Sequence, residues 1–339
     1  MIIALVRQNT KDKKMKIGIA ELRERILEML GSMPKADADA VADYFIWAEM
    51  SGNKTQGIIK MGGSDPIQNI VRTHAPKIEK ETPVSALIDG GRNPAIVVAD
   101  MADEIAIKKA RASGIAIVGA RNTFSSNGSQ AYYSEKIAKQ DLIGIMMSRS
   151  PGTVAPFGSI DPIFGTNPLG FGFPTMDSPI LFDAATSAMT FYGVVVADAK
   201  GEELPESAGA MDRDGNPTRR PSDVIGDGSL APFGGHYKAA GFSMMIELLA
   251  GPLIGAGYCD KDGKESWGTV IIAIDPGILT DVSDFKKNCS DFVRKIRESR
   301  THVGESIRMP HDESRRKYNE AERDGFVEID DVLFTKIFG

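Results

Sequence analysis

Histidine and cysteine are scarce in this chain, and long apolar runs are missing. Its four histidines, His74, His236, His302 and His311, are scattered over 339 residues. No two stand at metal-ligand spacing, which argues against a histidine-built metal site. Cys259 and Cys289 are the two cysteines, far apart and without a CxxC, so neither a disulfide framework nor a zinc knuckle is implied. No apolar stretch reaches the roughly 18 residues that span a bilayer, so no membrane partner is expected. The chain opens on a short apolar run followed by Lys11, Lys13, Lys14 and Lys16. A signal peptide has the opposite order, so a frayed tail on a cytoplasmic protein is expected. No GxGxxG follows a strand-like run, and Gly263-Lys264 continues with Glu265 rather than Ser or Thr. A Rossmann site and a phosphate loop are therefore unsupported. Basic charge is not in excess either. The net charge is −6, which argues against nucleic acid as a partner. What remains is ordinary globular composition, 42% hydrophobic and 25% charged, in a chain long enough for two domains.

The organising stretch is 155–187. Gly158, Gly165, Gly170 and Gly172 remove Cβ atoms where the backbone bends or approaches something closely. Strands are predicted at 169–173 and 180–184. The second ends in Asp183, Ala184, Ala185, Thr186 and Ser187, small and polar groups at a strand end, where ligands sit in α/β folds.

Around it, Ile19, Leu22, Ile26, Leu27 and Leu30 repeat at helical spacing, and Asp37 is expected to cap a second helix. Strands are predicted at 85–89, 115–120, 142–147, 269–274 and 306–309. Helices are predicted at 97–113, 131–139, 237–257, 285–299 and 314–323. Residues 199–232 read as a long surface loop. Met244 and Met245 read as core fillers, and Glu247, inside an apolar run, requires a partner. Asp212-Arg213-Asp214-Gly215 and the similar 260–263 stretch resemble half a calcium loop, but their glycine comes too early, and turns are expected. Strands and helices alternate through the centre while both ends are mainly helical. The expectation is a helical domain from 17–80 and 276–339, with an α/β domain over 81–275 inserted between.

The GTNPLGFGFP run followed by PILFDAATS resembles the malate/L-lactate dehydrogenase family of NAD(P)-dependent oxidoreductases. That family includes ureidoglycolate, sulfolactate and diketogulonate oxidoreductases and the reductase of piperideine and pyrroline carboxylates. The resemblance runs from about Ile19 to Ile329. It implies a non-Rossmann, mixed-sheet α/β fold, NAD or NADP as cofactor, a small carboxylate substrate and a homodimer.

The resemblance also implies site residues. The family has a serine, a proton-donating histidine and a carboxylate-binding arginine after its second helix. In that frame this chain carries Thr55, Gln56 and Lys60. Lys60 keeps the charge of the arginine but not its bidentate fork. A second family histidine, before a tyrosine-bearing helix, falls on Ser126 when the stretch is anchored on Gly128 and Tyr132. Without the resemblance, Ser125, Ser126 and Ser129 read equally well as a polar loop capping the next helix. Ser150, Asp183, Ala184, Ala185, Thr186 and Lys238 match family positions that hold the dinucleotide, as do His311 and Asp312, although His311 replaces a glycine. Arg149 reads either as a ribose-phosphate contact or as a surface charge.

Both family histidines are thus absent. Reducing a ketone creates an alkoxide that needs a proton donor, which glutamine cannot be. A cyclic imine arrives already protonated, so it tolerates the loss better. The expectation is therefore reduction of a small 2-imino or 2-oxo carboxylate. The rival readings are a 2-hydroxy-acid dehydrogenase with Tyr132, Tyr133 or Lys60 as substitute acid, and a dinucleotide-binding homologue without turnover.

Overall fold

A computed structural model describes residues 14–62, 66–258 and 267–339. Lys11, Lys13, Cys259, the 260–263 turn and Lys264 lie outside them. In chain order the elements are β1 (Lys14–Gly18), α1 (Ile19–Met29), α2 (Lys35–Met50), β2 (Lys77–Thr82), β3 (Ser85–Asp89), α3 (Ala95–Ser113), β4 (Ile115–Arg121), α4 (Gln130–Ala138) and β5 (Ile143–Arg149). There follow β6 (Leu169–Phe173), β7 (Ile180–Ala184), α5 (Phe191–Lys200), α6 (Pro221–Ile225), α7 (Tyr237–Ala250), β8 (Gly268–Ile274), α8 (Val282–Arg297), α9 (Asp312–Asp324), β9 (Phe326–Asp330) and α10 (Asp331–Phe338).

One seven-stranded sheet carries the fold, in the order β2-β3-β4-β8-β5-β6-β7. Only β3 and β4 pair in parallel, joined through α3; the other neighbours are antiparallel. Along a strand, successive side chains take opposite faces. Met146, Ile271 and Ala273 therefore join the cluster formed with α1 to α4. Met147 and Val270 turn the other way, to Ile246 and Ala250 of α7. Ile271 is fully buried, and truncating such a residue to alanine costs about 2–5 kcal/mol. On β6, a Cβ on Gly172 would lie 2.2 Å from the Ser134 carbonyl oxygen. Glycine there lets α4 lie directly on the strand. A second, two-stranded sheet pairs β1 with β9, Lys14 opposite Asp330, and ties the two ends of the described chain together.

Several sequence expectations are corrected. Lys14 and Lys16 belong to β1, not to a frayed tail. Asp37 does not cap α2, which starts at Lys35; its carboxylate pairs with Arg72 at 3.0 Å. Residues 199–232 are more than a surface loop. Leu204, Ala208, Ala210, Val224 and Leu230 are buried in a cluster with Val194 of α5. Helix α7 ends at Ala250 rather than 257, because Pro252 cannot continue it. Met244 and Met245 are not core fillers: they are 45% and 46% exposed. Residues 306–309 form no strand, since neither edge of the sheet pairs with them. The 212–215 stretch is a turn, with the Asp212 carboxylate accepting from the backbone N–H of Asp214 and of Asn216, both at 2.9 Å. No helix among the described residues is long and apolar enough to cross a membrane.

Candidate active site

The turn after α2 carries Thr55, Gln56 and Lys60 on two successive 3-10 segments, Lys54–Gln56 and Ile58–Met61. Buried Glu49, near the end of α2, sets its shape. One Glu49 oxygen accepts from the Ile58 N–H at 3.0 Å, and the other pairs with Lys54 at 2.8 Å. A Cβ on Gly57 would lie 2.0 Å from that first oxygen, so only glycine lets the chain cross the carboxylate there. The Gln56 Oε1 atom is buried without a hydrogen-bond partner, an uncommon state that in native proteins calls for a reason.

Lys60 is half-buried and, among the described residues, has no ion-pair partner. Its Nζ lies 5.4 Å from the ring centroid of Tyr192, near the start of α5. Although the side chain keeps some exposure, desolvation of the amine is the one cause of a pKa lowered to about 7. Burial raises the Tyr192 hydroxyl.

Ser126 lies in the loop between β4 and α4. Asn122 and Ser125 in that loop take positive φ, 53° and 70°, a conformation that costs non-glycine residues energy and clusters at functional sites. The Ser126 hydroxyl accepts from the Gly128 N–H at 3.0 Å, which leaves its own proton free to be donated. The hydroxyls of Thr123 and Ser125 are buried without partners. Helix α2 joins this loop to the Gln56 turn, because its Tyr44 hydroxyl accepts from the Ser129 N–H at 2.6 Å. Tyr133 donates to the Asn127 carbonyl at 2.8 Å inside the core, and burial raises both Tyr132 and Tyr133, so neither is a ready acid.

Of the residues matched to the dinucleotide, Asp183 and Thr186 use their side chains inside the protein. Asp183 accepts from Ser129 Oγ at 2.5 Å and from the Ala131 N–H at 3.2 Å, capping α4; burial raises its pKa. Thr186 donates to the Asn167 carbonyl at 3.1 Å and accepts from Ser243 Oγ at 2.9 Å. Ala184 ends β7 and Ala185 follows it, both half-buried, and half-buried Ser150 follows β5. Lys238 is exposed in the first turn of α7. Ahead of it Gly234 and Gly235 take φ of 64° and 58°, and a side-chain carbon on either would meet nothing within 4 Å. An open glycine turn, a lysine and the amino end of a 14-residue helix fit the phosphates of a dinucleotide.

His311 and Asp312 lie apart from that group. They line a cavity of about 220 Å³ with Arg297 and Arg315. His311 stacks on Trp47 at 6.1 Å, and burial first, then Arg315, lowers its pKa. Asp312 binds Arg297 through both oxygens, at 2.6 and 3.1 Å, which lowers its pKa. Arg149 is neither a phosphate contact nor a surface charge. It is fully buried, with Nε 2.7 Å from Glu247, whose other oxygen accepts from Asn167 at 2.8 Å. That supplies the partner Glu247 requires.

Sequence reasoning missed Glu49 and Tyr192. A glutamate followed by a glycine-bearing turn was a weak signal for the first. Nothing local marks Tyr192, which meets Lys60 only in the folded chain.

The sequence profile of the malate/L-lactate dehydrogenase family matches residues 18–337. The malate/(S)-sulfolactate dehydrogenase of Methanothermus fervidus is 34% identical over 335 residues, 94% of each chain. The Δ1-pyrroline-2-carboxylate/Δ1-piperideine-2-carboxylate reductase of Pseudomonas syringae pv. tomato is 34% identical over 275 residues, 76% of this chain and 78% of its own. Among solved structures, the malate dehydrogenase of Entamoeba histolytica superposes with a TM-score of 0.88 at 26% identity, covering 96% of both chains. The sequence match over nearly the whole chain and the shared fold lead to one conclusion: the chain belongs to the malate/L-lactate dehydrogenase family and is an NAD(P)-dependent oxidoreductase of small 2-hydroxy, 2-oxo or imino acids.

Proposed function

We propose that this enzyme reduces a small 2-imino carboxylate, a cyclic imine in its protonated form. The observation that carries the reading is Gln56 Oε1, a buried acceptor without a partner. An iminium N–H supplies the donor it lacks, whereas a ketone offers only a second acceptor. Lys60 anchors the substrate carboxylate, which compensates a half-buried ammonium that no carboxylate among the described residues compensates. Thr55 and the free proton of Ser126 hydrogen-bond the reacting group. Bound NAD(P)H supplies the hydride. Ser150, Ala184, Ala185 and Lys238 would hold it, with the backbone of Asp183 and Thr186 beside them and His311 and Asp312 at a second contact. An iminium that gains hydride becomes a neutral amine, so the absence of both family histidines is tolerated.

The test is NAD(P)H oxidation against a panel of cyclic imine carboxylates and 2-oxo acids. Turnover of the imines, falling as pH rises through the imine's own pKa, is the expected outcome. Brisk turnover of 2-oxo acids with none of imines sinks the iminium reading and leaves the 2-oxo acid reading. No turnover at all leaves a dinucleotide-binding homologue.

The reading includes a cytoplasmic homodimer with the helical and α/β division given above. Support for the dimer is the exposed apolar face of α7, with Tyr237, Met244, Met245 and Leu248. An apolar patch of that kind marks an interaction surface. Leu248→Glu is expected to shift the protein to monomer in analytical ultracentrifugation; an unchanged mass would count against this interface.

A further inference from the structure

Lys60 and Tyr192 come from segments far apart in sequence, and each is held by its own local device. Glu49 fixes the turn of Lys60 through the Ile58 N–H. Thr190 caps α5, its hydroxyl accepting from the Gly193 N–H at 3.1 Å, which fixes the backbone on both sides of Tyr192. We propose that Tyr192 is a positioning residue for Lys60: its ring face keeps the amine out of water, so that the substrate carboxylate is captured together with a proton. The inference rests on the carboxylate-anchor role of Lys60 given above.

At 5.4 Å from the ring centroid, Lys60 Nζ is within the roughly 6 Å over which a ring face attracts a cation. The attraction is modest beside the hydration it replaces. Other charges nearby do not offset the difference. Lys54 and Glu49 are paired with each other. The other titratable groups of the elements around this turn are Asp331 and Lys336 on α10, Lys35, Asp37, Asp39, Asp43 and Tyr44 on α2, and Tyr192, Asp198 and Lys200 on α5. None of them shifts Lys60, for which burial is the one cause. An incoming carboxylate changes this, because an opposite charge close by favours the charged amine. Above neutral pH, binding therefore takes up a proton, and affinity falls as pH rises. An arginine, which the family frame has at this position, cannot titrate in this range. The lysine makes substrate capture proton-linked, and the tyrosine sets where on the pH scale the link operates.

The decisive experiment needs no substrate. Full-length protein carrying ¹³Cε-lysine is titrated by NMR, and the Lys60 signal is assigned by its loss in Lys60→Met. In wild type it is expected to titrate near 7. Tyr192→Phe keeps the ring and leaves the midpoint in place. Tyr192→Ala admits water and moves it upward by about one pH unit or more, toward the ~10.4 of a free lysine. Should Tyr192→Ala fail to fold, which the other lysine signals would report, Tyr192→Thr opens the same space with the same expected shift. A wild-type Lys60 that titrates with the bulk of the lysines, or one that opening the ring site leaves in place, overturns the proposal. For any substrate of the panel, KM in wild type and Tyr192→Phe should rise about tenfold per pH unit above the midpoint, and in Tyr192→Ala the rise should begin later. Absence of turnover removes the anchor reading, while the NMR titration still decides the pair.

Discussion

Arg149 and Lys60 are two cations drawn into the protein, and they are treated in opposite ways. Arg149 is wholly buried and carries its own carboxylate, Glu247, which Asn167 supports in turn. Lys60 is half-buried, meets an aromatic ring and, among the described residues, no carboxylate, and loses its proton near neutrality. A buried charge with its counter-charge supplied by the chain belongs to the fold. A desolvated charge without one is poised for an anion from outside. The same distinction separates Asp183, whose carboxylate caps α4, from Lys238, which stands exposed beside an open glycine turn.

The most damaging way to break this comparison is to remove one half of the internal pair. Arg149→Met leaves Glu247 buried without its cation, and such a loss costs about 3–5 kcal/mol. Thermal unfolding should show it as a large drop in Tm. A variant as stable as wild type would mean that the pair is not what holds β5 to α7. Lys60→Met should do the reverse. Its folded-state pKa lies below the unfolded value, so below about pH 7 wild type carries the cost of keeping the amine charged. The variant should be at least as stable there, with the advantage beginning to fade above that value and disappearing as pH approaches the ~10.4 of an unfolded lysine. Its loss appears in function instead: a charged contact worth roughly 1.5–3 kcal/mol corresponds to a KM increase of roughly 10- to 100-fold for the substrate, with little change for the cofactor. Equal effects on both would place Lys60 outside the substrate's contact.

Lys238→Ala sharpens the second half of the comparison. An exposed lysine on a phosphate contributes less than a desolvated one, so NAD(P)H affinity should fall by about tenfold or less, on the order of 1 kcal/mol. The loss should shrink with added salt. Unchanged affinity in a fluorescence titration would remove the start of α7 from the cofactor.

Much of this was legible in the sequence, and the limits have physical causes. Strands β6 and β7 were evident, because glycine-punctuated apolar runs specify a strand under a closely packed helix. The frame that singles out Gln56 and Lys60 came from the family resemblance, whose pattern there is short and local in sequence. Strands β1 and β9 were not evident, because KMKIG and FVEID are short and pair only across the ends of the chain. Met244 and Met245 misled for a related reason. An apolar helix reads as core, and composition does not say whether the chain or a neighbour covers it. Arg149 could not be placed from sequence, since its depth depends on Glu247 arriving from α7. The charge of Lys60 was hidden for the same reason, because it is set by desolvation in a turn that also meets Tyr192.

Asp103 extends the comparison to a third case, a buried acid with neither an internal partner nor an opening. It is fully buried in α3, and neither carboxylate oxygen has a hydrogen-bond partner. Burial raises its pKa well above the ordinary carboxylate value, against a smaller opposing pull from Lys136. The sign follows from proton counts. In the unfolded chain the group titrates near ~3.9, and in the folded chain it keeps its proton to higher pH. Between those two values the folded state binds more protons, so wild-type stability falls as pH rises. A side-chain amide does not titrate, so Asp103→Asn should be nearly neutral around pH 4 and increasingly more stable than wild type above it. The difference widens with pH for as long as the folded carboxyl keeps its proton. Parallel melting curves of both proteins across this range are the measurement. If the gap between them stays constant, Asp103 ionises as an ordinary carboxylate, and it must then have a partner in solution, as Arg149 has in Glu247.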